Sequence, residues 1–431
     1  MNDVKPVAER IQGSLAFVFA VVLIDMMGFG IIMPVLPNLL IELTGESVAQ
    51  AAIYGGWLSF VYAAMQFVFG PIMGNLSDRF GRRPVLLAAL AVYAISYTVM
   101  GLAPTLAWLF VARVVAGITG ASFSVAYAYI ADITPPEKRA QNFGLIGVAF
   151  GLGFIIGPAL GGIVGDMFGT RAPFFLSAAL AALNCIFGAF VLSESLPRAR
   201  RRAFSLTRSN AVTALKELGH QNRIVLWYAG SLLVWMTAHV VYPIIWAFYV
   251  IEAFAGRIPF GWSAELFVGA TLALVGIGSA LVQGVLIRVV VPRIGEARSV
   301  TLGIAGVLCG ITIYLFAKDP AWLPPAILIG SLQGLIQPSI NGLMSRAVAD
   351  DRQGELQGAV ASLQSLSSVI GPPLYTYVFF AFTAAGTALY LPAAPFGLAG
   401  LIALAALALF WRGTLLFAAK RPEALSAPAG S

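Results

Sequence analysis

The sequence predicts an all-α membrane protein in which 12 transmembrane helices form two pseudo-symmetric six-helix bundles. Three observations predict it. The 431-residue chain is 59% hydrophobic and only 10% charged, with a mean hydropathy of +0.88, whereas soluble domains carry about 25% charged residues. Apolar runs long enough to cross a bilayer, about 20 residues each, recur along the whole length. Lysines and arginines gather in alternate connections between these runs, as an orientation signal does.

The runs lie near 14–40, 50–74, 84–102, 105–133, 141–165, 170–192, 222–252, 261–288, 297–317, 321–346, 354–380 and 385–415. Residues 1–16 are mixed and polar, and the first run is too long for the apolar segment of a signal peptide, so no cleavable leader is expected. Basic residues occupy the N-terminus (Lys5, Arg10), the second-to-third connection (Arg79, Arg82, Arg83), the fourth-to-fifth (Lys138, Arg139) and the segment after the sixth run. Arg288, Arg293, Arg298, Arg346, Arg352, Arg412, Lys420 and Arg421 continue the series, while the opposite connections offer only Arg171, Arg257 and Lys318. The positive-inside rule then puts both termini in the cytoplasm and the protein in a cell membrane, the inner one of a bacterium.

The expected organisation is a first bundle over 1–192, a cytoplasmic basic linker over 193–221, a second bundle over 222–417 and a cytoplasmic tail over 418–431. The linker, with Arg198, Arg200, Arg201, Arg202 and Pro197, reads equally as a solvated connection or as a surface helix on the anionic leaflet. Internal matches support two halves. Gly157-Pro158 recurs as Gly371-Pro372, and Ala172-Pro173-Phe174-Phe175 resembles Ala394-Pro395-Phe396-Gly397. Secondary transporters are commonly built from such repeats, with the substrate site near the midplane between them.

The net charge of +7 reflects orientation in the membrane, and no nucleic-acid partner is expected. Cys185 and Cys309 fall inside apolar runs, one in each half, and read as small core residues rather than a disulfide or metal pair. No phosphate-cradling glycine loop, metal-ligand spacing or nucleophile–base pair occurs. Neither enzymatic activity, ATP, a metal nor another cofactor is expected.

Charge inside an apolar run is expensive, about 2.5–3.5 kcal/mol on insertion scales, and marks function by default. Asp25 is the leading case. A carboxyl in hydrocarbon accepts a proton more readily than one in water, so Asp25 is the candidate for proton coupling or for a cationic substrate; the ordinary alternative is a helix-end acid. Arg113, the one basic residue placed well within a run, either tunes Asp25 or bonds backbone carbonyls. The segment Gly74-Asn-Leu-Ser-Asp-Arg-Phe-Gly-Arg-Arg-Pro84 reads as a charged loop, echoed weakly at 284–298. Gly74, Asp78, Arg79, Gly81, Arg82 and Arg83, with Asp132 within reach, are expected to form a latch between the halves that breaks as the protein changes state.

The fifth run carries Gly147, Gly151, Gly153, Gly157, Gly161, Gly162 and Gly165 around Pro158. Small residues at this spacing let helices approach closely, a packing role shared by Gly371 and Pro372. Polar and aromatic groups inside runs are the candidates for a substrate cavity: Tyr62, Gln66, Tyr127, Tyr242, Trp246, Gln283, Gln333, Gln337 and Asn341. Aromatic walls with few polar groups suit amphiphilic organic molecules. His239 reads as a packing histidine.

These motifs carry a resemblance. The 74–84 segment resembles the signature second-to-third loop of the major facilitator superfamily, Arg113-Val-Val-Ala-Gly-Ile-Thr-Gly120 its helix-4 motif, and Gly153-Phe-Ile-Ile-Gly-Pro-Ala-Leu-Gly-Gly162 the helix-5 motif of its exporters. Asp25-Met-Met-Gly-Phe-Gly-Ile-Ile-Met-Pro-Val-Leu-Pro37, Ala131-Asp-Ile-Thr134 and Gln353-Gly-Glu-Leu-Gln-Gly358 are similar to the tetracycline–proton antiporter branch. The resemblance implies the superfamily's fold, alternating access, proton antiport and a sufficient monomer. It also has gaps. Where the tetracycline exporters carry an acid in helix 3, a histidine in helix 8 and an acid in helix 9, this chain has Ser96, Ser279 and Val307, which argues against a tetracycline–metal chelate. The expected function is proton-coupled export of small amphiphilic compounds. A proton-coupled importer or facilitator of a sugar, peptide or carboxylate is the alternative, and a membrane sensor on the same fold a third.

Overall fold

Residues 7–120, 122–134, 139–202, 223–349 and 352–425 are described in a computed structural model, and among them helices are joined by short connections with no strand. α1 (Val7–Ile32) and α2 (Leu36–Thr44) form one span bent by 48°. α3 (Val48–Phe80), α4 (Arg82–Leu102), the pair α5 (Leu106–Gly120) and α6 (Ser122–Ile133), α7 (Arg139–Phe168) and α8 (Ala172–Val191) complete the first six. The second six begin with α9 (Arg223–His239), continued by α10 (Val241–Phe254). Next, α11 (Ala264–Leu281) runs through a π-turn over Val282–Leu286 into α12 (Ile287–Ile294), followed by α13 (Glu296–Phe316). Then α14 (Leu323–Gly330) runs through a 3-10 stretch over Ser331–Leu335 into α15 (Ile336–Arg346), before α16 (Gln353–Thr383) and α17 (Ala394–Leu425).

Among the described residues, 8 uninterrupted or gently bent helices are long and apolar enough to cross a bilayer, and the α1–α2 pair makes 9. The remaining three predicted runs are helical, each with a physical reason for weaker character. α5 spans 15 residues before its end at Gly120. The tenth run is interrupted by its 3-10 stretch. α16 carries a polar series from Gln353 through Gln357, Ser362, Gln364, Ser365 and Ser368 that lowers its hydropathy. Nine and three give the 12 runs read from the sequence. Residues 203–222, which hold most of the expected linker, lie outside the described residues, as do Lys138 and the end of the tail.

The repeat is visible in the caps. Ser47 opens α3, its hydroxyl accepting from the Gln50 amide at 3.3 Å, and Ser263 opens α11 by accepting from Leu266 at 3.2 Å. Each satisfies one of the orphan amides of a helix start. Both of these spans end at a single glycine: Gly81 (φ 107°, ψ 157°) and Gly295 (φ 79°, ψ 163°). Positive φ at that joint suits glycine, which lacks a Cβ.

That geometry corrects the sequence reading of 74–84. Residues 74–80 are the last turns of α3, not a loop, and the connection is Gly81 alone. The Ser77 hydroxyl donates to the Gly74 carbonyl at 2.7 Å, and the Gly81 amide reaches Ser77 O at 3.0 Å, so the helix closes on itself before turning. A second correction concerns Cys309. It is exposed on α13 rather than part of a core, while Cys185 is half-buried and donates to Leu87 O at 3.4 Å.

Within the first half α1 packs on α7 and α8, α4 on α8 and α5, and α3 on α5; within the second, α9 packs on α16 and α17, and α13 on α14 and α17. The halves meet along two seams, α7 with α11 and α3 with α16. Glycines make the first seam possible. A Cβ on Gly162 would stand 2.6 Å from Glu265 O and 3.2 Å from the Gly269 Cα, and Gly269 in turn lies against Pro158. On another face of α7, Gly153, Gly157 and Gly161 receive the α1 backbone at Met26, Met27 and Ile31. The Gly-Pro repeat holds as well: Pro158 abuts Gly30 before the bend in the first span, and Gly371 abuts Val240 at the break between α9 and α10.

The closure is one-sided. Gly55 and Gly56 of α3 pack on Phe248 and Thr376, and Asn38 donates a hydrogen bond to Glu265 across the halves. These contacts cluster at the end capped by Ser47 and Ser263. Toward the end bearing the basic connections, Cβ atoms on Gly147 of α7, Gly284 of the π-turn or Gly358 of α16 would meet nothing within 4 Å.

Candidate functional site

The helix-4 motif acquires a physical meaning in the fold. Arg113, Gly117 and Gly120 fall four and three residues apart, which puts them on one face of α5. A Cβ at Gly117 would lie 2.6 Å from Tyr62 O, and one at Gly120 2.7 Å from the Tyr62 hydroxyl and 2.6 Å from that of Tyr93. The glycines thus make room for two tyrosines beneath the arginine. Tyr62 and Tyr93 share a hydrogen bond of 3.1 Å, and Tyr93 stacks on Tyr97 with centroids 5.9 Å apart. The buried Arg113 guanidinium sits 5.7 Å from the Tyr62 ring centroid, a cation–π contact, and its Nε has no hydrogen-bond partner.

Asp25 enters this cluster from α1, half-buried and within electrostatic reach of Tyr62, Tyr93 and Tyr97. One turn along α1, Gly28 brings the backbone close to Tyr97; a Cβ there would be 3.3 Å from the hydroxyl. Neither Asp25 nor Arg113 joins the ion pairs found among the described residues. The two opposite charges therefore face one tyrosine cluster without neutralising each other by contact. An acid, a cation and three phenols here can bind a charged group or hold a proton. Sequence reasoning missed Tyr93 and Tyr97; the signal was two tyrosines at i, i+4 in an otherwise apolar run.

The other cavity candidates divide. Gln66 spends its amide donor on the Gly120 carbonyl, 3.0 Å away, where α5 ends. Trp246 is a correction: it is 2% exposed, its indole donates to Thr271 at 2.9 Å, and its ring meets Tyr314 at 5.3 Å. It belongs to a packed aromatic core, not an open wall, because Phe396 and Tyr249 also close on it. Tyr242 borders that core through Phe396 and His239. Gln283 is exposed on the π-turn, and Gln333, Gln337 and Asn341 are half-buried along the tenth span. The side chain of Tyr127 lies outside the described residues.

At the basic end, Arg82 is the hub. It is buried, and it pairs with Asp78 at 2.6 Å, Asp132 at 3.2 Å and the Ser77 hydroxyl at 2.5 Å. Its amide donates to Glu194 at 2.8 Å, Ser195 donates to Asp132 at 3.1 Å, and Arg83 bonds the Ala189 carbonyl at 2.7 Å. Arg79 stands apart, exposed over Phe80. Among the described residues the ion-pair partners of this cluster belong to the first half and the start of the linker, not to the second half. Glu194 and Ser195 were missed by sequence reasoning, which read 193–202 for its arginines only.

The second half carries the same pair with reversed sign. Glu296, directly after the joint at Gly295, pairs with Arg346 at the end of α15 at 2.5 Å, as Arg82 after Gly81 pairs with Asp132 near the end of α6. Burial separates their weights. The Arg346 side chain is 61% exposed against 10% for Arg82. Arg82→Ala should destabilise by about 1.5–3 kcal/mol, the worth of charged hydrogen bonds in a buried setting. Glu296→Gln should cost under about 1 kcal/mol, as exposed pairs do. Thermal melting of both purified variants checks the order; equal shifts would contradict it.

A family profile described as Major Facilitator Superfamily matches residues 18–372. The class C tetracycline resistance protein of Escherichia coli is 38% identical over 392 residues, covering 89% of this chain and 96% of that protein. The class B protein of the same organism is 32% identical, covering 85% and 89%. Among solved structures, a bacterial homolog of the human lysosomal transporter Spinster superimposes with a TM-score of 0.75 at 16% identity, covering 99% of this chain and 100% of that one. The human organic anion transporter MFSD10 (TETRAN) gives 0.67 at 22% identity, covering 93% and 99%.

Proposed function

The chain belongs to the Major Facilitator Superfamily, and from that premise we propose that it is a proton-coupled exporter of small amphiphilic organic compounds, working by alternating access. The observation that carries the reading is Asp25, an acid deep in a span, sharing a cluster of three tyrosines with Arg113 and in none of the ion pairs among the described residues. In one state the carboxyl holds a proton; in the other it releases the proton and a cationic substrate group takes its place. Arg113 on the same cluster disfavours both being present at once. The 38% identity to a tetracycline resistance protein supports export as the direction.

Tetracycline itself is disfavoured as cargo. The positions matched to the exporters' acids and histidine are Ser96, Ser279 and Val307, and Val307 is 2% exposed in the packed core of the second half. With the basic ends placed in the cytoplasm, the state described here is shut outward and open inward. In this reading Asp78, Arg82, Arg83 and Asp132, tied to the linker through Glu194, form the latch that meets the second half when the inner end closes. Residues 1–192 and 222–417 then move as the two bodies, and one copy suffices.

The test uses everted membrane vesicles with an acid interior reported by a pH-sensitive dye. Adding amphiphilic cations from a panel is expected to release protons in proportion to their uptake. Accumulation of a sugar, peptide or carboxylate in right-side-out vesicles under the same gradient, with no response to the panel, would make the protein an importer instead.

A further inference from the structure

The intramembrane charges Asp25 and Arg113 belong to the first half, while the second half sets a row of amides within one span. In the second half, Gln333, Gln337 and Asn341 recur every four residues along the tenth span. That spacing puts them on one face. A different face of the same span packs on α13, where Leu332 and Ile336 fill the space above Gly303 and Gly306.

Two features distinguish this face from ordinary packing. The backbone changes its winding there: the 3-10 stretch Ser331–Leu335 lies beside the π-turn Val282–Leu286, with a Cβ on Gly334 standing 3.1 Å from Val282 and 3.2 Å from the Gln283 side chain. Mid-helix 3-10 and π segments concentrate at hinges and functional sites. In addition, Gln333 Oε1 and Asn341 Oδ1 are shielded and have no hydrogen-bond partner. An amide that serves structure in this half looks different: Gln353 accepts from Ser345 at 2.8 Å and donates to Ser345 O and Val348 O at 2.9 and 3.1 Å. Buried polar groups are normally paired, so the two open acceptors call for a donor from elsewhere.

We propose that Gln333 and Asn341 form an uncharged subsite for the hydroxyl- or amide-bearing end of an amphiphile whose cationic end lies toward Asp25. This deepens the exporter reading and rests on it for the cationic end. It assigns substrate selectivity between neutral polar groups to the second half, and charge selectivity to the first. The amide spacing of eight residues covers about 12 Å of helix, so a ligand with two donors along one edge fits better than one with a single terminal group.

Equilibrium binding to the full chain in lipid nanodiscs tests it, with three matched probes: dodecyltrimethylammonium, its 12-hydroxy derivative and its 12-methoxy derivative. The hydroxy probe donates a hydrogen bond, while the methoxy probe only accepts. The hydroxy probe is expected to bind about tenfold tighter than the other two, in line with one buried neutral hydrogen bond at the upper end of its usual worth. Gln333→Leu and Asn341→Leu together should erase that preference, so that the hydroxy probe loses its tenfold advantage over the other two, and Asn341→Asp alone, which keeps the acceptor, should retain it. Equal binding of the hydroxy and methoxy probes to the natural chain overturns the proposal without recourse to any variant. So does survival of the preference in the leucine double variant, or binding of none of the probes. Because no proton gradient is present, a clear hydroxyl preference beside failed proton release would sink the antiport reading and leave the subsite standing.

Discussion

Asp25→Asn is expected to abolish uphill, proton-driven transport, to below one hundredth of the natural rate, while leaving the protein folded and able to exchange substrate downhill. Asparagine has the shape of the acid without its ionisation. It removes the one acid that faces Tyr62, Tyr93 and Tyr97, and with it the cost of a charge in hydrocarbon, about 2.5–3.5 kcal/mol. The variant should therefore melt no lower than the natural protein. Substrate counterflow with no gradient should persist, whereas substrate-induced proton release in everted vesicles should vanish. Full proton-driven transport by Asp25→Asn would end the assignment of this residue. Loss of counterflow as well would move Asp25 from proton carrier to obligatory substrate ligand.

The second large effect is expected at the α7–α11 seam. Gly162→Leu puts a side chain where even a Cβ meets Glu265 O at 2.6 Å and the Gly269 Cα at 3.2 Å. Overpacking of that order costs about 1–3 kcal/mol, and the cost falls on the closed end capped by Ser47 and Ser263, the outer end in the proposed orientation. An equilibrium shifted by that amount changes by about 5- to 150-fold, so transport should fall at least about fivefold as one of the two states becomes rare. The readout is a cysteine placed at Asn38, whose amide now bonds Glu265 across the seam, in a chain with Cys185 and Cys309 replaced by serine. A membrane-impermeant maleimide applied from outside should label it faster in the Gly162→Leu background. Unchanged labelling with lost transport would point to a folding defect instead.

The sequence was most informative where the physics is one-dimensional. Apolar runs of bilayer length and alternating basic connections suffice to outline the helices, because in lipid each backbone group must be satisfied within its own helix. The glycines of α7 were legible as close-packing residues for the same local reason. What the sequence obscured depends on neighbours distant in the chain. The charged segment 74–84 looked like a loop because it is polar and contains two glycines, yet only Gly81 leaves the helix. Trp246 looked like a cavity wall because no periodicity tells an aromatic facing solvent from one enclosed by Tyr249, Tyr314 and Phe396. Gln66 looked free until the end of α5 arrived beside it. Asp25 and Arg113 stand out in the sequence as charges within apolar runs, but their shared tyrosine surroundings come from three further positions on two other helices. Glu194 was hidden among arginines, and only the fold shows that the linker begins by capping Arg82.

The uneven placement of charge has an electrical consequence. Asp25 and Arg113 are charged groups set away from the ends of their helices, and both belong to the first half. With the acid ionised their sum is zero; with a proton bound it is one positive charge. If Asp25 carries the proton as proposed, each turnover alternates the charge carried by the first half, and a charge crossing the whole membrane field exchanges about 2.3 kcal/mol per 100 mV. On that proposal a cell's voltage acts through the Asp25–Arg113 cluster, and the cargo's own charge decides whether it helps or opposes the return stroke.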